Sequence, residues 1–235
     1  MANADSLDAA TLADGALGTD AHLGTGLLRL VALMARLRRD CPWDAEQTHR
    51  SLSKHLIEET AETVDAIESG SDDDLVEELG DVLLQVMFHA EIARQDGRFD
   101  IDAVAGAVTD KLIARHPFIF ADDALPTDMM ATWEGAKRAQ KQRTSALDGI
   151  ADALPTLARA AKVATRLRDT HAESVLPSGT DYPSGTDTPP GTDATAVGEA
   201  LLALVIGAVQ AGVDPDQALR DATRAWERRV RDAGV

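Results

Sequence analysis

Two acidic motifs separated by a helix-breaking segment are the feature that most constrains the fold of this 235-residue chain. Residues 58–81 contain eleven acidic residues and no Lys or Arg. Members of each motif are three residues apart, which places them about 60° from one another around a helix axis; the pairs are Glu59/Glu62 and Glu78/Asp81. Residues 69–74 supply a helix stop at Gly70 followed by N-cap candidates. The pattern predicts an antiparallel helical hairpin on which the two pairs face each other.

Facing carboxylates without a cation repel each other, which raises their pKa values and favours binding of a divalent metal. Ligand sets made only of oxygen favour magnesium, manganese or calcium over zinc. The alternative is a solvated helix face, because Glu58 and Glu62 fall nearly opposite to an apolar cluster around Leu56. The lack of cations over two helices, and the position of Asp81 at the start of an apolar stretch, count against this alternative. From the residues alone, both interpretations stay open.

Composition predicts an all-α protein, since aromatic residues are only 3% of the chain and Ala, Leu, Glu and Arg are abundant. The net charge of −17 excludes nucleic acid and anionic membranes as general partners. A single cysteine, Cys41, and the lack of a signal sequence predict a cytoplasmic protein. The longest apolar run, 82–93, is too short and too polar to span a bilayer, and predicts a helix central in the domain or at a dimer interface.

Periodicity and punctuation predict a series of helices that fall into five segments. The helices are predicted over 27–39, 47–68, 73–95, 101–115, 131–143, 147–171 with an interruption near Pro155, 194–211 and 215–232. The segments are a leader (1–24), a catalytic helical domain (25–145), a helical extension (146–176), a low-complexity linker with repeated Gly-Thr-Asp units (177–193) and a C-terminal helical pair (194–235).

Candidate substrate-binding residues lie on both sides of the acidic motifs. Trp43 follows Cys41-Pro42 beside a helix start, where it either fills a core edge or stacks on a nucleobase. His89 shares a helix side with Glu78, so that a contact with the site is conceivable, although a hydrogen-bonded core histidine is the commoner case. Three downstream cations are candidates for binding a polyphosphate opposite the metal, namely Lys111, Arg115 and Lys137.

An ordered series of motifs resembles the MazG family of nucleoside triphosphate pyrophosphohydrolases over about residues 26–172. The motifs are Cys41-Pro42-Trp43-Asp44 with Gln47-Thr48, Glu58-Glu59-Thr60-Ala61-Glu62, Glu78-Leu79-Gly80-Asp81, Gly97-Arg98-Phe99-Asp100, Asp110-Lys111-Leu112-Ile113 with Arg115-His116-Pro117, and Trp133-Glu134 with Lys137. The resemblance implies a helical bundle of the all-α NTP pyrophosphatase type, completed by dimerisation into a homodimer.

The same resemblance implies Mg²⁺-dependent hydrolysis of a nucleoside triphosphate to a nucleoside monophosphate and pyrophosphate, with Mn²⁺ as a substitute metal. It assigns metal binding to Glu59, Glu62, Glu78 and Asp81. Glu58 becomes an added ligand or the group that orients the attacking water, so Glu58 and Glu59 are the catalytic candidates. Trp133 joins Trp43, Lys111, Arg115 and Lys137 as a substrate-binding residue.

The C-terminal pair resembles the tail of a second copy of the motif, found in many relatives, but its acidic step is reduced to Ala196 and Glu199. We therefore expect residues 194–235 to be a degenerate, catalytically inactive repeat. Two other functions stay open. One is a non-catalytic helical scaffold that binds nucleotide or a protein partner; the other is a pyrophosphohydrolase with a different substrate, such as phosphoribosyl-ATP.

Overall fold

The computed structural model describes residues 24–120, 125–141, 145, 147–169 and 194–232. These contain ten helices and no strand: α1 (Thr25–Asp40), α2 (Pro42–Glu46), α3 (His49–Ser69), α4 (Asp72–Gln95), α5 (Ile101–Arg115), α6 (Pro117–Phe120), α7 (Met129–Lys141), α8 (Thr156–Asp169), α9 (Ala194–Gln210) and α10 (Pro215–Asp232). The predicted all-α class is confirmed. The predicted leader, except for Gly24, and the predicted linker lie outside the described residues.

The chain divides into two compact units, Met1–Pro126 and Thr127–Val235. Each is described by itself, and the segment boundaries expected from the sequence stay predictions. In the first unit, α3 and α4 form an antiparallel hairpin against which α1 packs. Its core consists of buried side chains from three helices, with α5 contributing Ile101 at the edge: Met34, Leu52, Met87, Phe88 and Ile92.

The C-terminal half of α4 is buried on several sides, as its all-round apolar sequence predicts. Seven residues between positions 85 and 93 are buried, and they include two polar ones, Gln85 and Glu91. Glu91 is neutralised by Arg94, whose Nε and Nη2 atoms each donate a hydrogen bond of 2.7 Å to its carboxylate. The N-terminal half of the same helix carries the acidic motif and is largely solvent-accessible. One helix therefore joins the polar region to the core.

Local hydrogen bonds define the hairpin ends. At the start of α3, Thr48 Oγ1 accepts from the Ser51 amide (3.1 Å) while Ser51 Oγ accepts from the Thr48 amide (3.0 Å). At the start of α4, Ser71 Oγ accepts from the Asp74 amide (3.2 Å), and the Asp74 carboxylate accepts from the Ser71 amide (2.7 Å). These reciprocal caps satisfy amides that the helix itself leaves without acceptors.

Close packing fixes the turn and the register of the hairpin. A Cβ atom added at Gly70 would lie 2.8 Å from the Ala66 carbonyl oxygen, so the tight connection from α3 to α4 excludes a side chain there. Thr63, itself buried, donates through Oγ1 to the Glu59 carbonyl (2.7 Å) and lies 3.3 Å from the Glu78 carbonyl of the facing helix. Thr63 therefore aligns the two acidic motifs.

The second unit contains α7 to α10, of which α8 packs against α9 and α10. Its small core consists of Ala164, Ile206 and Val209, with Ala161 at the edge. Arg168 Nη1 donates to the Val209 carbonyl at 2.9 Å and joins α8 to the end of α9. No single helix in the described part of the chain has the length and apolar content to cross a bilayer. Helices α9 and α10 have that length and apolar content only when taken together, and the pair is bent by 111°.

Most predicted helices occur within one or two residues of their expected bounds, but three details differ. The Pro42 segment, expected to be only a helix stop, forms the short helix α2, and Pro117 similarly opens α6. Residues 147–155, expected to be helical, form turns, and α8 begins only after Pro155. A proline favours the first turn of a helix and an extended residue before it, which explains α2 and α6. Residues 147–155 include Gly149, whose φ of 73° is incompatible with a continuous helix.

We predict that Gly70→Ala lowers the free energy of unfolding by about 1–3 kcal/mol, because the added methyl group overlaps the Ala66 backbone. The matched control is Gly106→Ala in α5, where an added Cβ meets no atom within 4 Å. That change should stabilise the protein by about 0.5–1 kcal/mol through the better helix propensity of alanine. Denaturant unfolding measures both values, and shifts of the same sign would contradict the steric role of Gly70.

Candidate metal centre

Three carboxylates from the two helices of the hairpin converge. Glu59 of α3 and Glu78 and Asp81 of α4 each offer one oxygen, and these oxygens all lie within 4.8 Å of one another. Glu62 lies beside this group, since its charge acts on both Glu59 and Glu78. Three of the four acids that the resemblance implies as metal ligands therefore converge, with Glu62 near them, and we call the four residues the acidic cluster (Glu59, Glu62, Glu78 and Asp81).

The electrostatics of the acidic cluster are unfavourable in the protein alone. Loss of solvent contact, followed by the negative charges of Asp81, Glu62 and Glu58, raises the pKa of Glu59. Loss of solvent contact also raises the pKa of Glu78, and the charges of Glu62 and Asp81 add to the effect. Among the described residues, none of the four carboxylates forms an ion pair with Lys or Arg. The described part of the chain thus supplies no Lys or Arg that pairs with the acidic cluster.

Size and donor chemistry both fit a hard divalent cation. Oxygens on opposite sides of Mg²⁺ lie about 4.2 Å apart and those on Ca²⁺ about 5 Å. The three carboxylate oxygens lie within 4.8 Å of one another, so they are close enough to bind one cation after small side-chain shifts. The set contains only carboxylate oxygens, which magnesium, manganese and calcium prefer. A single cation would also offset the desolvation and the mutual repulsion that raise the pKa values of Glu59 and Glu78.

Glu58 lies at the margin of the acidic cluster. Its side chain is 60% exposed, and its Oε2 atom lies 3.3 Å from Nδ1 of His55, one turn earlier on α3. Its charge contributes to the raised pKa of Glu59, so the two carboxylates are neighbours. An exposed carboxylate next to the acidic cluster can accept a proton from water that enters from the solvent.

The structure holds Trp43 on a well-anchored segment. Its indole ring packs edge-on against Phe88 of α4, with centroids 6.4 Å apart, and remains 55% exposed. The buried guanidinium of Arg38 anchors the segment by donating to the carbonyls of Asp44, Ala45 (3.1 Å) and Gln47 (2.9 Å). The alternatives for Trp43, core edge or stacking surface, are therefore combined: its edge is packed while much of its surface is accessible.

The other candidate substrate-binding residues divide between the two units. In α5, Arg115 is buried at 5% exposure and Lys111 lies one turn before it. In the second unit, Lys137 Nζ lies 4.4 Å from the Trp133 ring centroid and donates to Glu134 Oε1 at 2.8 Å. Desolvation by itself would raise the pKa of Glu134. The nearby charges of Lys137, Arg166 and Lys162 outweigh this effect, so the pKa of Glu134 is lowered. The roles of Lys111, Arg115, Trp133 and Lys137 in substrate binding stay predictions.

One polar constellation was not predicted from the sequence. The rings of His49 and His89 stack in parallel with centroids 5.0 Å apart, and their Nδ1 atoms lie 2.7 Å from each other. Arg98 Nη2 lies 2.5 Å from His49 Nε2. The sequence places His89 on the same helix side as Glu78, but nothing in it indicates the pairing of His89 with a residue forty positions earlier.

Comparisons with known proteins agree with this geometry. The family model of the MazG nucleotide pyrophosphohydrolase domain matches residues 47–120, which include the whole acidic cluster. An "Uncharacterized 26.1 kDa protein in blaB 3'region" from Streptomyces cacaoi is 43% identical over 215 residues, covering 89% of this chain and 83% of that protein. The "Nucleoside triphosphate pyrophosphohydrolase/pyrophosphatase MazG" of Thermotoga maritima is 36% identical over 213 residues, covering 86% and 83%.

A third relative, the "Nucleoside triphosphate pyrophosphohydrolase" of Escherichia coli K12, is 46% identical over 146 residues, covering 59% of this chain and 56% of that protein. The Streptomyces and Thermotoga relatives are matched over most of their length, so the similarity is not confined to one motif. The chain therefore belongs to the MazG family of nucleotide pyrophosphohydrolases.

Proposed function

We propose that the protein hydrolyses nucleoside triphosphates to a nucleoside monophosphate and pyrophosphate, with Mg²⁺ as its cofactor and Mn²⁺ as a substitute. The supporting observation is the convergence of Glu59, Glu78 and Asp81 without an ion pair to any described Lys or Arg. The printed names of the Thermotoga and Escherichia relatives support the substrate class. A role in maintaining the nucleotide pool follows from that substrate class.

The carboxylates divide into a binding set and a proton acceptor. Glu59, Glu62, Glu78 and Asp81 would hold the metal, which when bound neutralises triphosphate charge and makes water more acidic. Glu58 is accessible and next to Glu59, so we assign it the task of orienting water and accepting its proton. The water oxygen forms a new bond to the α-phosphorus. The bond between the α-phosphorus and the α–β bridging oxygen breaks, and pyrophosphate leaves with that oxygen.

We propose that basic side chains and two indole rings bind the parts of the substrate outside the reacting bond. Lys111, Arg115 and Lys137 would pair with phosphoryl oxygens, while Trp43 and Trp133 present rings on which a base can stack. We also propose a homodimer in the cytoplasm. The dimer is supported by apolar side chains of the hairpin that are more than half exposed in one chain: Ile57, Ile67, Val76 and Leu79.

In a metal-binding test, we predict that Mn²⁺ at about a hundredfold excess over its dissociation constant stabilises the protein by about 2.7 kcal/mol. Glu59→Gln should lose this gain, yet in EDTA it should melt at a higher temperature than the unsubstituted protein because one repulsive charge is gone. The control is Asp102→Asn in the first turn of α5, away from the cluster. Equal metal-induced shifts in all three proteins, measured by thermal unfolding, would exclude the acidic cluster as the metal site.

The raised pKa values of Glu59 and Glu78 predict a pH dependence of the metal-free protein. A carboxyl group whose pKa is higher in the folded than in the unfolded chain contributes stability that is lost as the pH rises through the folded value. In EDTA, the stability advantage of Glu59→Gln over the unsubstituted protein should therefore grow as the pH rises from that of ordinary glutamate titration toward neutrality. A constant difference across that range would show that Glu59 titrates normally.

For catalysis, we predict that Asp81→Asn and Glu59→Gln lower kcat by about a hundredfold or more, since each weakens the charge that binds the metal. Pyrophosphate release from a panel of ribo- and deoxyribonucleoside triphosphates and phosphoribosyl-ATP, with Mg²⁺, measures the effect, and Asp102→Asn is again the control. Nucleotide binding by calorimetry without turnover in any protein would instead support the non-catalytic scaffold. Turnover of phosphoribosyl-ATP alone would change the substrate class.

A further inference from the structure

A polar row continues along α4 beyond the acidic cluster. Glu78, Asp81, Gln85 and His89 lie within about 80° of one another around the helix axis, each about one turn from the next. His89 is thus about two turns, roughly 12 Å, from Asp81 along the helix. The row connects the acidic cluster with the histidine pair at the other end of the hairpin.

Gln85, in the middle of this row, has a hydrogen-bonding group without a partner. The residue is 4% exposed, and its Oε1 atom accepts no hydrogen bond in the described part of the chain. Buried side-chain oxygens in folded proteins nearly always have a donor. A donor supplied by a bound molecule would satisfy this acceptor, and the acidic cluster one turn away already marks the face as a binding face.

The histidine pair has a defined proton arrangement. Arg98 is always a donor, so His49 Nε2 must be the acceptor of the 2.5 Å contact, and the proton of His49 lies on Nδ1. That proton is donated to His89 Nδ1 at 2.7 Å, which leaves the proton of His89 on Nε2. Arg98 and His49 therefore fix His89 as a hydrogen-bond donor at Nε2.

Trp43 lies at the same end of the hairpin, because its ring packs against Phe88, the neighbour of His89. This end thus combines an accessible aromatic ring, a fixed donor and a buried acceptor. A nucleoside carries groups that such a donor and acceptor can bind, since a ring N–H next to a carbonyl, or a sugar hydroxyl, supplies one donor and one acceptor.

We infer that Gln85 and His89, with His49 and Arg98 as positioning residues, form a subsite that binds the nucleoside part of the substrate next to Trp43. The inference rests on the proposed function, because it places the reacting phosphates at the acidic cluster. Only the ribose separates the α-phosphate from the base. A substrate whose phosphates lie at the acidic cluster would therefore place its nucleoside about one or two helical turns from that cluster, along the polar row.

The test compares nucleoside triphosphates with inorganic tripolyphosphate, which has the same phosphoryl groups and no nucleoside. In the full-length protein with Mg²⁺, His89→Leu should raise KM for nucleoside triphosphates about tenfold, with little change in kcat, because ground-state binding is lost. The inhibition constant of tripolyphosphate should stay within about twofold. His89→Gln, whose amide nitrogen can replace Nε2, should recover most of the affinity.

Gln85→Met and Arg98→Met provide independent variants, since methionine matches the volume of glutamine and the Arg98 side chain is 47% exposed. Both should raise KM selectively for the nucleoside triphosphate, whereas Arg39→Met, on the exposed surface of α1, should leave both ligands unaffected. A 2′,3′-dideoxynucleoside triphosphate that no longer responds to His89→Leu would identify the sugar hydroxyl as the bound group; one that still responds would identify the base.

The inference is overturned if the variants weaken nucleoside triphosphate and tripolyphosphate equally, or if KM stays within twofold of the unsubstituted protein in all of them. If the protein shows no turnover at all, the same comparison is made by calorimetry with a non-hydrolysable triphosphate and tripolyphosphate. The proposed function would then fail while the subsite could still stand or fall by the selectivity of binding.

Discussion

Repulsion between carboxylates at the acidic cluster is the constraint on which the rest of the first unit depends. The hairpin brings carboxylate oxygens of Glu59, Glu78 and Asp81 close enough to bind one ion, although without an ion their proximity lowers the stability of the protein. Reciprocal caps at Thr48 and Ser71 and the core around Phe88 offset that cost. The hairpin therefore folds although its carboxylates repel one another, as is common at sites where function and stability conflict.

Helix α4 meets two demands along one length. Its first half places carboxylates at the solvent, and its second half packs into the core on several sides. The buried end gives the acidic end a rigid base, so a bound phosphate meets ligands that do not have to be reorganised. Glu91, buried but paired with Arg94, shows how the chain neutralises a carboxylate of structural importance. The acidic cluster has no such partner among the residues that the structure describes, and that contrast supports a site for an external cation.

Sequence reasoning succeeds where the cause is local and fails where it is distant. The helix stop at Gly70, the caps around Ser71 and the spacing of the acids are short-range signals, and they predict the hairpin and its facing carboxylates. The pairing of His49 with His89 depends on the register of two helices, which Thr63 fixes through a contact with the backbone at Glu78. The orphaned oxygen of Gln85 is likewise invisible without packing. Both features carry the proposed nucleoside subsite, and periodicity could not reveal either of them.

Arg38 connects α2, the short helix that carries Trp43, with α4, the helix that carries Glu78 and Asp81. Its guanidinium is buried at 9% exposure, and such a charge is tolerated only when most of its donors are satisfied. The acceptors are the carbonyls of Ala45 and Gln47, at the end of α2, on one side and Gln95 Oε1 of α4, at 2.8 Å, on the other. Since Gln95 ends the helix that carries Glu78, Asp81, Gln85 and His89, the position of Trp43 is tied to the polar row. An aromatic ring held in this way supports the proposed selection of a nucleoside, because hydrogen bonds through Arg38 tie its helix to α4.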